Sequence, residues 1–216
     1  MMGVNTTPIR YLHYRVRKLV SGASSTKQSI VLMELNNIFP ELNDKNNFIF
    51  IGKFDKHNDY KNMNLFKNFN INKLKSNTEW DCKLQTNFPG NNMILLKHNI
   101  NKNLIDDILK FIQKEINDKK MLVQSLWYNI YKKGFNQERH NHKGVKAILS
   151  GVYYYKLPSK IRFYNPKDIK SEMAYEFEPE EGNVILFSSE LEHSVPKYNG
   201  DDTRITFAFN LGYDKL

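Results

Sequence analysis

Apolar residues recur in two different periods along this chain, and the change falls near Lys120. Between Asn101 and Lys120, Leu104, Ile108, Ile112 and Ile116 return every four residues, and Leu109 and Phe111 widen the stripe. That spacing places them on one face of an amphipathic helix. Asp106 and Asp107 near its start and Lys119 and Lys120 near its end suit the helix dipole. The stripe therefore predicts core packing. After Lys120, short segments rich in Tyr, Phe, Ile and Val predict strands at 123–132, 145–156, 160–164, 183–187 and 204–211. Turn-forming residues separate them: Gly134–Asn136, Pro158-Ser159, Asn165-Pro166, Pro179–Gly182 and Asn199-Gly200.

The amino-terminal part is less regular. Apolar positions from Ile30 to Leu42 predict a short helix ended near Pro40, and Phe48 to Gly52 predicts a strand. Residues 53–78 are polar and show no period, and Trp80 to Phe88 predicts a strand closed by Pro89-Gly90. The basic residues 1–29, with the small-residue run Ser21–Thr26, are expected to form a flexible tether. The expected organisation is one domain over 30–216, with helical support over about 30–120 and a β core over about 121–216. Helices first and many short strands afterwards predict an α+β fold whose core is a sandwich, jelly roll or barrel.

Composition narrows the function classes. The 216 residues are 40% hydrophobic and 13% aromatic, enough for a packed core. The single cysteine, Cys82, excludes a disulfide-stapled scaffold and a cysteine-based zinc ribbon, and is expected in the core. No apolar run approaches the ~20 residues that span a bilayer, and the first residues carry no apolar signal core, so a cytoplasmic protein without membrane association is expected. The net charge of +9 admits nucleic acid as a partner. It does not favour one, because the lysines are scattered from end to end.

Candidate chemistry lies in the β-rich half. His140-Asn-His142 has i, i+2 spacing, which in an extended segment puts both imidazoles on one face. His193 follows just beyond the 183–187 strand, where a jelly roll can return it to the pair. Neutral imidazole is the commonest ligand of first-row metals. In the 204–211 segment, Ile205, Phe207, Phe209 and Leu211 share one face, while Arg204, Thr206, Ala208 and Asn210 share the other. A guanidinium aimed into a barrel needs a partner, and a carboxylate ligand fits its planar fork; on this strand alone, an edge-strand arginine reaching out to solvent is the equal alternative. His13, His57 and His98 stand alone and are expected to be structural or surface residues. Glu178, Glu180 and Glu181 lie at a turn, and Glu192 is a weak candidate for orienting His193.

The ordered runs Asn136–His142, Leu149–Tyr154, Glu181–Phe187, His193-Ser-Val195 and Arg204-Ile-Thr206 resemble the iron(II)/2-oxoglutarate-dependent oxygenases. The resemblance spans roughly Trp80 to Leu211 and is greatest to small oxygenases of phages and marine bacteria, distantly similar to prolyl hydroxylases. It implies a double-stranded β-helix, or jelly roll, holding Fe(II) through His140, His142 and His193. It further implies that Arg204, helped by Thr206 and Tyr154, grips the far carboxylate of 2-oxoglutarate, with Tyr131 lining that pocket. O2 and an unidentified substrate complete the expected partners. His142 departs from the general H-x-D/E…H pattern and leaves the site one charge more positive. Asn210 stands where relatives that act on nucleic acid carry a second arginine. Two other readings remain beside this one: a cupin-type three-histidine oxygenase that does not use 2-oxoglutarate, and a non-catalytic basic binding module on the same fold.

Overall fold

A computed structural model describes residues 31–34, 48–63, 65, 85–86, 102–116, 119–143, 147–166 and 174–213. The expected tether over 1–29, Cys82, His13 and His98 lie outside them. Eleven strands appear in chain order: β1 (Val31–Glu34), β2 (Phe48–Lys53), β3 (Gln85–Thr86), β4 (Leu122–Tyr131), β5 (Gln137–His140), β6 (Leu149–Lys156), β7 (Ile161–Tyr164), β8 (Ala174–Phe177), β9 (Asn183–Ser188), β10 (His193–Val195) and β11 (Arg204–Gly212). Among the described residues two helices accompany them, α1 (His57–Asn62) and α2 (Lys102–Glu115).

The strands form a seven-stranded sheet ordered β1-β2-β9-β6-β11-β4-β3 and a four-stranded sheet ordered β5-β10-β7-β8. Every pairing is antiparallel. From β4 onward the chain alternates between the sheets except at the β7–β8 pair, the order of a double-stranded β-helix. The fold is thus α+β with a jelly-roll core, as the strand spacing and the resemblance imply.

The expected 30–42 helix is described only over residues 31–34, and there it is a strand. Residues 31–34 form a strand paired with β2, Val31 opposite Ile51 and Glu34 opposite Phe48. A run this short and apolar has no readable period, and pairing to an open sheet edge decides its state. The rest of the expected 30–42 helix lies outside the described residues. The polar stretch after residue 53 contains α1, and the predicted 80–88 strand is described only at Gln85–Thr86.

Helix α2 ends at Glu115, although the Ile116 N–H still donates to the Ile112 carbonyl at 2.9 Å. Its residues Leu104, Ile108, Phe111 and Ile112 pack in one cluster with Ile205, Phe207, Phe209 and Leu211 of β11. Burying each such side chain stabilises the fold by about 1.5–3 kcal/mol, so α2 fixes the outer face of the large sheet. A second cluster, which includes Tyr154, Phe163, Ile185, Phe187 and Leu191, joins residues of the two sheets. Gly151 of β6 is dictated by space, because a Cβ there would meet the Phe209 ring at 2.2 Å. Among the described residues no helix is long and apolar enough to cross a membrane.

Candidate metal and co-substrate site

The cavity floor is an array of side chains set by period-two alternation on three adjacent strands. Cross-strand register puts Arg204 opposite Tyr131, and Thr206 between Asn129 and Tyr154. Ala208 then lies between Trp127 and Val152, and Asn210 between Ser125 and Ser150. Both faces of β11 are covered, since all nine of its residues are buried.

The small sheet supplies two of the imidazoles. His193 pairs with His140 across β10 and β5, but Val195 pairs with Gln137, so β5 carries one extra residue there. A bulge of this kind re-aims side chains. Here Gln137 and His140, three positions apart, both line the cavity. His142 lies beyond the end of β5, where its N–H donates to the Ser189 carbonyl at 2.8 Å.

Tyr131, His140, His142, Tyr154, His193, Arg204 and Thr206 all line this one cavity. One ligand nitrogen from each of His140, His142 and His193 lies within 4.8 Å of the others. The ring centroids of His140 and His193 are 4.3 Å apart, and His142 is 5.3 Å from each. The Nδ1 of His140 donates to the Glu138 carbonyl and that of His193 to the Leu191 carbonyl, both at 2.9 Å. Each of these rings is left with an unprotonated Nε2, the usual arrangement behind a metal-binding histidine. Burial lowers the pKa of all three, His142 to about 4, and the neighbouring imidazoles push His193 further the same way. All three are neutral at pH 7, as ligands must be.

At the other end, Arg204 is 1% exposed, and its Nε and Nη1 donate no hydrogen bond. Among the described residues no carboxylate forms an ion pair with it. Its guanidinium lies over the Tyr131 ring at 4.2 Å and 5.6 Å from the Tyr154 centroid. The Tyr154 hydroxyl is close enough to feel that charge but lies outside hydrogen-bond geometry, and burial raises its pKa. The Asn129 Oδ1 is likewise buried without a hydrogen bond. A buried charge with unfilled donors is costly, and a carboxylate ligand suits it.

Gln137 links the two ends. The Tyr131 hydroxyl donates to its Oε1 at 3.1 Å, and its amide nitrogen is 3.3 Å from His140 Nε2. Sequence reasoning missed this role because the bulge that turns Gln137 inward depends on register with β10. Trp127 stands beside His142 with ring centroids 5.8 Å apart. Period two from Tyr131 already places Trp127 and Asn129 on the cavity face. Tyr128, on the opposite face of the strand, is core. Glu192 does not orient His193: it accepts from Arg139 Nε at 2.5 Å, because adjacent strand residues point to opposite faces. His57 is structural, 2.8 Å from the Tyr153 hydroxyl and packed under Gly182, where a Cβ would meet the His57 ring at 2.9 Å and the φ of +83° favours glycine. Glu181 accepts from the Leu157 N–H and pairs with Lys61, and Glu180 pairs with Lys53, so both serve the turn.

Residues 160–210 match a family described as "Putative 2OG-Fe(II) oxygenase". No curated protein matches the chain. HygX from Streptomyces hygroscopicus, solved with nickel and 2-oxoglutarate bound, superposes with a TM-score of 0.51 and 9% identity, covering 78% of this chain and 84% of HygX. A prolyl-4-hydroxylase of Pseudomonas putida gives 0.48 and 15%, covering 76% of this chain and 90% of its own. The likeness to HygX is one of fold. The family matched over residues 160–210 is one of iron(II)- and 2-oxoglutarate-dependent oxygenases, the class that the sequence resembles. Members of that class are oxidoreductases that use O2.

Proposed function

We propose that this chain binds iron(II) through His140, His142 and His193 and hydroxylates a C–H bond of a protein residue, an amino acid or a small metabolite. O2 would supply one oxygen atom to the product hydroxyl and one to succinate, as 2-oxoglutarate loses CO2. The observation that carries the reading is Arg204, a fully buried guanidinium with two unfilled donors, in the same cavity as three neutral imidazoles.

The donor set fits both groups. Three imidazoles suit iron among several first-row metals, and His140, His142 and His193 would hold it from one side of the cavity. When bound, the iron and 2-oxoglutarate supply the oxidising chemistry, and the protein supplies binding and orientation. Arg204 would take the far carboxylate of 2-oxoglutarate in its fork. The Thr206 and Tyr154 hydroxyls and the Asn129 amide stand beside it to complete the hydrogen bonds. Tyr131 covers the guanidinium and holds Gln137 by its side-chain oxygen. Trp127 and Phe187 wall the cavity and keep water from the reacting centre.

Turnover of 2-oxoglutarate to succinate, measured with iron(II) and O2 present, tests the proposal. Succinate formed by the native protein and lost in Arg204→Ala and His193→Ala is the expected result. Metal binding with complete indifference to 2-oxoglutarate would refute it and favour a three-histidine oxygenase of another type.

A further inference from the structure

Beside His142 the cavity floor ends in an uncharged hydrogen-bonded chain. Asn210, Ser150 and Ser189 are each at most 2% exposed. Ser150 Oγ is 2.8 Å from Asn210 Oδ1 and 3.1 Å from Ser189 Oγ. Asn210 Nδ2 is 3.1 Å from Ser125 Oγ and 3.4 Å from His142 Nδ1. The Ser189 carbonyl also holds the His142 backbone N–H.

A neutral imidazole carries one proton, on Nδ1 or on Nε2. With Asn210 Nδ2 donating to His142 Nδ1, that proton sits on Nε2, the nitrogen a metal needs bare. Turning the amide through 180° exchanges its oxygen and nitrogen at nearly the same positions. Oδ1 then accepts from His142 Nδ1–H and from Ser125. Nδ2 donates to Ser150, and Ser150 donates to Ser189. Every contact survives, because a serine hydroxyl can donate or accept. His140 and His193 have no such freedom, since their Nδ1 partners are backbone carbonyls, which only accept.

We infer that Asn210 is a positioning residue that sets the tautomer of His142, so that the direction of the Ser189–Ser150–Asn210 chain decides whether His142 can ligate. The inference rests on the three-histidine centre proposed above. His140 and His193 are locked ready for a metal, and His142 joins them when the chain reverses.

Nitrogen-15 histidine spectra of the full chain near neutral pH, without metal and with zinc(II) as a diamagnetic stand-in, read the tautomers directly. The expected result is a His142 proton on Nε2 without metal and on Nδ1 with zinc, while His140 and His193 carry theirs on Nδ1 throughout. A His142 proton on Nδ1 in both states overturns the inference. Asn210→Asp, which only accepts, should hold the Nδ1–H form without metal and bind zinc at least as tightly as the native chain. Asn210→Leu should weaken zinc binding by about 10–100-fold. Native affinity in Asn210→Leu, alongside loss of metal in His142→Ala, would overturn the inference and leave the three-histidine centre standing. A native chain that binds no zinc overturns both. If Asn210→Leu fails to fold, the native spectra and the Asp variant carry the test.

Discussion

The two faces of β11 are equally buried and chemically opposite. On one, Ile205, Phe207, Phe209 and Leu211 join the apolar cluster under α2. On the other, Arg204, Thr206 and Asn210 are buried to the same degree. Asn210 is satisfied by serines, but Arg204 is left with open donors. Burial alone therefore does not separate core from site. The separating feature is an unmet demand for hydrogen bonds, which the fold tolerates because a ligand can meet it.

The two faces should therefore respond in opposite directions to truncation. Phe207→Ala, on the apolar face, should lower unfolding stability by about 3–5 kcal/mol. It should leave metal stoichiometry unchanged, and urea unfolding with metal analysis checks both. Arg204→Met, on the cavity face, removes a buried unpaired charge and should raise the stability of the ligand-free protein by about 1–4 kcal/mol. The same variant should fail to convert 2-oxoglutarate. A ligand-free Arg204→Met that unfolds more easily than the native chain would mean that the guanidinium serves the fold.

The pH dependence of stability sharpens the contrast further, with a smaller effect. Burial lowers the folded-state pKa values of His140, His142 and His193 below their ordinary 6.5. The unfolded chain therefore binds more protons, and stability rises with pH in this range. For the metal-free protein, the histidine contribution is complete above about pH 6.5 and is lost as pH falls toward about 4, the His142 value. Urea midpoints across that window should fall less steeply in His142→Gln than in the native chain. Identical slopes would show that His142 is solvated in the folded state.

Much of this was legible in the sequence. The four-residue period of α2 and the alternation in 204–211 each specify a face, and the cavity residues follow from that alternation. Elements fixed by their partners were not legible. Residues 31–34 are too few to show a period, and only pairing with β2 makes them a strand. Helix α1 buries just His57 and Tyr60, about one turn of signal inside a polar stretch. Strand β8 has four residues and exists by its register with β7. The bulge that brings Gln137 beside His140 is a property of the β5–β10 pair, so neither strand encodes it alone.

Calorimetry of 2-oxoglutarate binding to the anaerobic iron(II)-loaded protein tests the central claim most directly. The account predicts one molecule bound per chain in the native protein and an affinity at least about a hundredfold lower in Arg204→Ala, the loss expected when charge-assisted hydrogen bonds are removed. Equal affinity in the two proteins would contradict it, for the buried guanidinium would then have no part in holding the co-substrate.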